Sequence, residues 1–402
     1  MAAPVAEPKA QTPIYQRIKI IDVDSHISEP ENLWTNRVST QKWGELVPHV
    51  KFDPNINEDR WFMGGKAFMP TAGAAMAGWK EPPPKHPPSL QEADHGSFNA
   101  LERLQRMDEY GIWAQVVYPN VGGFGSGNFL SLKEPDLMLD CVRAYNDFLY
   151  EWCATDIKRL LPIMAMPFWD VDECVKEMER CAKMGHKGVL MTNQPHIFGF
   201  PRITERHWDP MWHAATDLGM PINFHIGSGD LTVIGKTTVD NGRQAAYAKI
   251  TVSLFLDNSH AIMDIILGGL CHRFPKVNFV SVESGIGWIP FVLEAMDWQW
   301  LNSGCREEHP EMDLLPSEYF KRQCYGCFWF EEASALKAIE ACGVDNFLYE
   351  TDFPHPTSMS PGPNSVAIYP KDFVERNLGG LAEPDLKKLL QTNAAKLYNV
   401  TL

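Results

Sequence analysis

No run of about eighteen apolar residues, the length needed to span a bilayer, occurs anywhere in the sequence. The opening MAAPVAEPKAQTP lacks the apolar centre of a secretion signal. A membrane-spanning chain is therefore not expected, and residues 1–14 read as a flexible tail. Basic residues are also scarce: 36 Lys and Arg stand against 51 Asp and Glu, a formal charge of -15. Recognition of nucleic acid or an anionic membrane calls for clustered positive charge, so neither is expected as a partner. A small-molecule substrate is. Nine cysteines, an odd number at irregular spacing, make no disulfide framework and fit a reducing compartment, with the cytoplasm as the default. Cys324-x-x-Cys327 has no second pair, so it reads as strand packing and not as a zinc ribbon. No internal repeat or linker-like tract divides the chain, and residues 15–402 read as a single domain.

What the sequence does contain is an alternation of short β-branched runs with longer amphipathic stretches. The strand candidates are Ile18–Asp24, Ala114–Pro119, Leu160–Pro167, Lys187–Thr192, Pro221–Ile226, Asn278–Ser284, a weaker Lys321–Cys327, and Asn346–Asp352. Between them lie helix-like segments at 101–110, 137–155, 171–184, 208–218, 259–271 and 332–341. Gly111, Gly185, Gly219 and Gly343 stand where a left-handed helix cap would hand over to the next strand. Eight strands in this rhythm predict an α/β fold, a (β/α)8 barrel. Residues of about 28–99, rich in Pro, Gly and Trp, break the rhythm and read as a long insertion after the first strand. Such an insertion lies on the catalytic face.

Polar residues gather at the strand C-termini, the end that carries active sites in barrel enzymes. Asp22, Asp24 and His26 alternate along the first strand, and period-two spacing turns all three to one side. Asp24 and His26 are then chelating candidates, with Asp22 deeper as a supporting carboxylate. His225 ends the fifth candidate strand and Asp352 the eighth, which closes beside the first. Two carboxylates with two imidazoles suit a borderline divalent ion, zinc first, with manganese or iron as alternatives. Other signals are plainer. GGFGSG at 122–127 lacks the Walker lysine and the acidic partner of a dinucleotide fingerprint, and reads as a mobile loop. His196, His207, His213, His260 and His272 fall on helices or loops as surface or packing residues. Tryptophans at 61–79 and 288–300 suggest an aromatic-walled pocket or a subunit interface.

The segments IDVDSH, RLQRMDEYGIWAQVVYP, RLLPIMAMP, MGHKGVLMTN, PMWHAATDLGMPINFHIG, HRFPKVNFVSVESG, CGVDNFLYETDFPH and NAAKLY together resemble the amidohydrolase superfamily. The resemblance points to the branch related to aminocarboxymuconate-semialdehyde decarboxylase and spans nearly the whole chain. It implies that Asp24, His26 and His225 are metal ligands and that Asp352 handles protons. It also implies a homodimer. His355, in the DFPH segment, would orient a ligand or substrate.

Two residues depart from the pattern the resemblance implies. Asp24 stands where many relatives carry a first-strand His, which favours harder ions such as manganese. Glu283 stands where the sixth strand usually ends in His. Glu283 fits three roles: a general acid or base, a ligand to a second metal with Asp24 bridging, or a cap on the turn at Gly285 and Gly287. One or two ions per chain follow from these alternatives. The first functional reading is hydrolysis, with metal-activated water attacking the carbonyl of an amide, ester, lactone or thioester and Asp352 taking the proton. The alternative is nonoxidative decarboxylation of a small, possibly aromatic, acid. The third is a noncatalytic barrel that binds through its insertion.

Overall fold

Eight strands pair in parallel and in chain order around one sheet, as the alternation predicts, in the computed structural model, which describes residues 12–231 and 242–402. They are β1 (Ile21–His26), β5 (Ala114–Tyr118), β6 (Leu160–Ala165), β7 (Gly188–Leu190), β8 (Ile222–His225), β9 (Phe279–Val282), β10 (Cys324–Phe328) and β11 (Phe347–Tyr349). Within the insertion, β2 (His49–Asp53), β3 (Glu58–Met63) and β4 (Lys66–Pro70) form a separate antiparallel sheet. The weak seventh candidate is the most displaced: residues 316–323 are helical, and the strand begins only at Cys324. Among the longer helical regions, Arg243–Phe255, Ile289–Asn302 and the C-terminal segment 370–397 fall outside the segments the sequence predicts.

Residues alternate between two apolar layers. Ile21, Val23, Val116, Ile163, Leu190, Val280, Cys327 and Leu348 share the cluster inside the barrel, which Leu397 and Tyr398 close at the N-terminal end of the strands. Val117, Met164, Val189, Phe224, Phe279 and Tyr349 face outward, under the surrounding helices. The helix after β1 and its insertion, Ala100–Tyr110, starts on the Asn99 cap and ends on Gly111 in the left-handed conformation, as do later helices on Gly185 and Gly219. Gly343 differs: its φ of 86° and ψ of -174° are not a left-handed cap.

The tail boundary also moves. Residues 1–11 lie outside those described, but Ile14 is fully buried and opens the helix Ile14–Arg17, its amide bonded to Glu375 at 2.8 Å. The insertion is part of the main core through Leu33, Trp34, Val47 and Trp61. The Met76 and Ala77 amides both bond Pro354 O, which sets this segment against the loop that follows β11. Trp61 and Trp300 are buried in the core, whereas Trp298 is exposed. Arg103, fully buried, ties the insertion's end to the barrel by donating to Gly96 O, His26 O, Ser25 Oγ and Gln115 Oε1. Arg243–Leu267 is the one stretch among the described residues long and apolar enough to cross a membrane, with hydropathy 1.3. Polar residues are scattered through it, so it forms no unbroken apolar run. Its second half packs on the core through Ala261, Ile262, Ile265 and Ile266.

The barrel seam between β11 and β1 has almost no backbone ladder. One bridge joins Ser25 to Phe353, with bonds from His26 N to Phe353 O (2.6 Å) and from Asp352 N to Asp24 O (2.9 Å). Asp22 supplies the rest. Its carboxylate accepts from Thr351 N (2.8 Å), Thr351 Oγ1 (2.5 Å), Gln115 Nε2 (2.8 Å) and Asp24 N (3.1 Å). Asp22 does not share a face with Asp24, contrary to the period-two expectation. It lies between the inward Ile21 and Val23 and so points outward, and the pairing with β5 slips by one residue between Asp22 and Ser25. That bulge turns Asp24 inward, beside His26. Replacing Asp22 by Ala leaves buried donors unpaired and is expected to lower stability by about 3 kcal/mol or more. Urea unfolding of the metal-free protein measures this, and a loss under about 1 kcal/mol would show that the seam closes without the clasp.

Candidate metal centre

Five polar side chains converge at the C-terminal mouth of the barrel, each delivered by a strand end. Asp24 and His26 come from β1, His225 from β8, Glu283 from the residue after β9, and Asp352 from just beyond β11; all are buried. His26 Nε2 lies 3.0 Å from His225 Nε2, 3.3 Å from Asp24 Oδ1 and 3.7 Å from Asp352 Oδ1. His225 Nε2 lies 3.6 Å from Asp24 Oδ2 and 3.3 Å from Glu283 Oε2. The arrangement brings together every residue singled out as a ligand.

The hydrogen bonds behind the rings decide what faces the centre. His26 Nδ1 is 3.0 Å from Pro119 O and His225 Nδ1 is 2.8 Å from Ile226 O. A carbonyl oxygen only accepts, so both Nδ1 atoms carry the hydrogen, and a neutral ring then presents an Nε2 lone pair. Two lone pairs 3.0 Å apart, facing carboxylate oxygens, repel unless a proton or a metal cation joins them. Asp24 Oδ1 and Oδ2 and Asp352 Oδ1 are buried and have no hydrogen-bond donor among the described residues. Unpaired buried charge of this kind is costly. Nitrogen and oxygen donors at these spacings fit one divalent ion with bonds of about 2.1 Å. The two four-residue groups able to hold an ion, Asp24–His26–His225–Glu283 and His26–Glu283–Asp352–His355, share His26 and Glu283. They describe one centre.

The local electrostatics follow from burial. Burial, then His355, pushes His26 down to about 3. Burial acts to raise Asp24, but His225 and His26 outweigh it and hold the carboxyl below its usual range. For His225, burial acts downward and Asp24 more than offsets it, so its pKa is raised. Burial followed by the charge of Asp24 raises Asp352 well above the carboxylate range. Burial followed by Asp352 does the same to Glu283. Thr357 Oγ1 reaches both, 3.0 Å from Glu283 Oε1 and in close contact with Asp352 Oδ2. Glu283 and Asp352 also adopt φ of 55° and 57°, the left-handed region that non-glycine residues rarely occupy. Strained backbone at two site carboxylates is typical of positions held for function.

A model of the family described as amidohydrolase matches residues 21–400. The chain belongs to the amidohydrolase family. A gamma-resorcylate decarboxylase from Rhizobium sp. (strain MTP-10005) is 24% identical over 321 residues, spanning 74% of this chain and 86% of that protein. Among solved structures, an amidohydrolase from Mycobacterium avium subsp. paratuberculosis K-10 matches with a TM-score of 0.73 at 20% identity, over 95% of this chain and 99% of that one. A dihydroxybenzoic acid decarboxylase from Polaromonas sp. JS666, solved with manganese and 2-nitroresorcinol, matches with a TM-score of 0.62 at 17% identity, over 95% and 97%. The resemblance read from the motifs is borne out, and the (β/α)8 fold with it. The relatives' names favour the carboxy-lyase alternative over the hydrolytic reading placed first.

Around His355, the residue expected to orient a ligand or substrate, several residues of this amidohydrolase centre escaped the sequence. His355 stacks on His26 with centroids 3.7 Å apart, and its Nδ1 is 2.8 Å from Asp352 Oδ1. Its Nε2 meets Asn120 Oδ1 at 2.7 Å, and Glu29 in turn accepts from the Asn120 and Val121 amides. Glu350, buried beneath the site, accepts from the Glu283 amide at 3.2 Å. No motif marks Glu29, Asn120, Glu350 or Thr357, although the alternation of β11 places Glu350 inward. Glu283 does not cap the glycine turn: the Ile286 and Gly287 amides bond Glu331 at 2.9 and 2.8 Å. Cys324 and Cys327 are buried strand residues, as expected, and Cys271 Sγ lies 3.9 Å from Cys324 Sγ. His207, His213 and His260 are exposed, and His196 and His272 are half-buried.

Elemental analysis of protein purified without chelator is expected to find a single divalent ion per chain. His225→Ala should abolish it, and Glu283→Gln should retain most of it. A second ion lost with Glu283 would instead establish a binuclear centre, and metal-free active protein would refute the assignment.

Proposed function

We propose that this protein is a metal-dependent nonoxidative decarboxylase of a small aromatic carboxylic acid. The observation that carries the metal requirement is the pair of buried Nε2 atoms 3.0 Å apart, each ring committed through Nδ1 to a backbone carbonyl. The choice of reaction is supported by the curated relatives, which are named as decarboxylases. Asp24, His26 and His225 hold the ion, with Asp352 completing the set. When bound, the ion supplies positive charge that anchors and polarises an anionic substrate. Manganese suits the carboxylate-rich donor set, and zinc suits its imidazoles.

The chain's own residues supply the rest. Breaking the bond to the carboxyl carbon leaves an electron pair on the ring carbon, and a proton must arrive there. Asp352 and Glu283 face the centre as neighbouring carboxyls, and the Thr357 hydroxyl bridges them. One of the two, protonated, gives its proton to the ring carbon. His355 packs beside Asp352, with its Nδ1 2.8 Å from Asp352 Oδ1. Burial of these side chains limits bulk water as a competing proton source. Hydrolysis would use the same residues, with Asp352 taking a proton from water.

A panel of hydroxylated benzoates incubated with the manganese- or zinc-loaded protein is expected to release CO2 in step with loss of the acid. In D2O the product should carry one deuterium at the ring carbon that bore the carboxyl group. Hydrolysis of lactones or amides with no CO2 released from any acid would overturn the proposal. Asp352→Asn is expected to lower kcat by about a thousandfold, and a variant within tenfold of wild type would remove Asp352 from proton transfer.

A further inference from the structure

The glycine-rich run 122–127 carries Phe124, which has no part in the reaction above. Its ring centroid lies 4.1 Å from that of His225 and 5.1 Å from that of His26. Phe124 also lines a cavity of about 400 Å³, together with Asn128, Ile197, Phe198, Ser228 and Leu231. A single aromatic side chain is thus common to the wall of the cavity and to the surroundings of both imidazoles.

The glycines around it serve close packing. A Cβ on Gly125 would stand 2.8 Å from the Thr192 amide nitrogen, and one on Gly122 would stand 2.8 Å from the Phe129 ring. The segment is therefore seated against its neighbours, where the sequence suggested a mobile loop, and packing sets the place of Phe124. On the other flank, a Cβ on Gly227 would be 3.4 Å from the Phe124 ring.

We propose that Phe124 determines substrate class, as the surface on which a planar aromatic acid lies in the cavity with its carboxylate turned toward the imidazoles. This rests on the aromatic-acid reading above and adds a residue that distinguishes a flat ring from a puckered one. Ring-on-ring contact favours an aromatic partner beyond the area it buries. The apolar walls of Ile197, Phe198 and Leu231, with Asn128, Ser228 and Asp230 as polar groups, suit one substituted ring.

Calorimetric binding of benzoate and of cyclohexanecarboxylate to the metal-loaded protein tests this without turnover. Wild type is expected to bind benzoate about fivefold more tightly or better. Phe124→Leu, with Phe124→Met as a second variant should Leu misfold, is expected to bring the ratio close to one at unchanged metal content. A variant that keeps the preference, or a wild type that lacks it, would overturn the proposal. Because CO2 is not measured, a protein that selects the flat ring yet releases no CO2 supports Phe124 and rejects only the decarboxylase reading.

Discussion

One buried carboxylate closes the barrel. Strands β11 and β1 meet with too few backbone bonds to hold a seam, and Asp22 accepts two bonds from Thr351 across it while also holding the Asp24 amide. The seam is where Asp24, His26 and Asp352 stand side by side, so the clasp that completes the fold also sets the spacing of the centre. A β-bulge beside Asp22 turns Asp24 inward, and left-handed backbone at Glu283 and Asp352 turns two more carboxylates toward the same point. Within the barrel, these departures from regular strand geometry fall where the site carboxylates stand.

The second constraint is charge. Asp24, Glu283, Glu350 and Asp352 are buried within one region, with His26, His225 and His355 among them. An apolar interior does not tolerate that many ionisable groups unless protons or a cation neutralise them. Proton sharing satisfies part of the demand at Glu283 and Asp352. The lone pairs of the two facing imidazoles and the donorless oxygens of Asp24 leave the remainder to a cation. Binding such an ion would therefore stabilise the folded state as well as equip it.

Much of this was legible in the chain. Strand rhythm gave the barrel because each βα unit must bury one face of a helix on the sheet, and that need writes itself into local periodicity. Asp24, His26, His225 and Asp352 were legible because each ends a recognisable strand. Thr357, Asn120 and Glu29 were not, since each lies in irregular backbone whose neighbours come from distant segments. Phe124 was read only as part of a glycine loop, because its contact with His225 crosses 101 residues of chain.

By itself the sequence determined the order of strands and helices, the acidic surface and the residue types offered at each strand end, all of which depend on neighbours within a turn or a few residues. Tertiary structure alone decided which way those residues point. A one-residue slip in pairing separates Asp22 from Asp24, and carbonyls of Pro119 and Ile226 select the ring nitrogen that faces the centre. Register and tautomer are properties of partners brought together by closure of the barrel, and no local pattern encodes them.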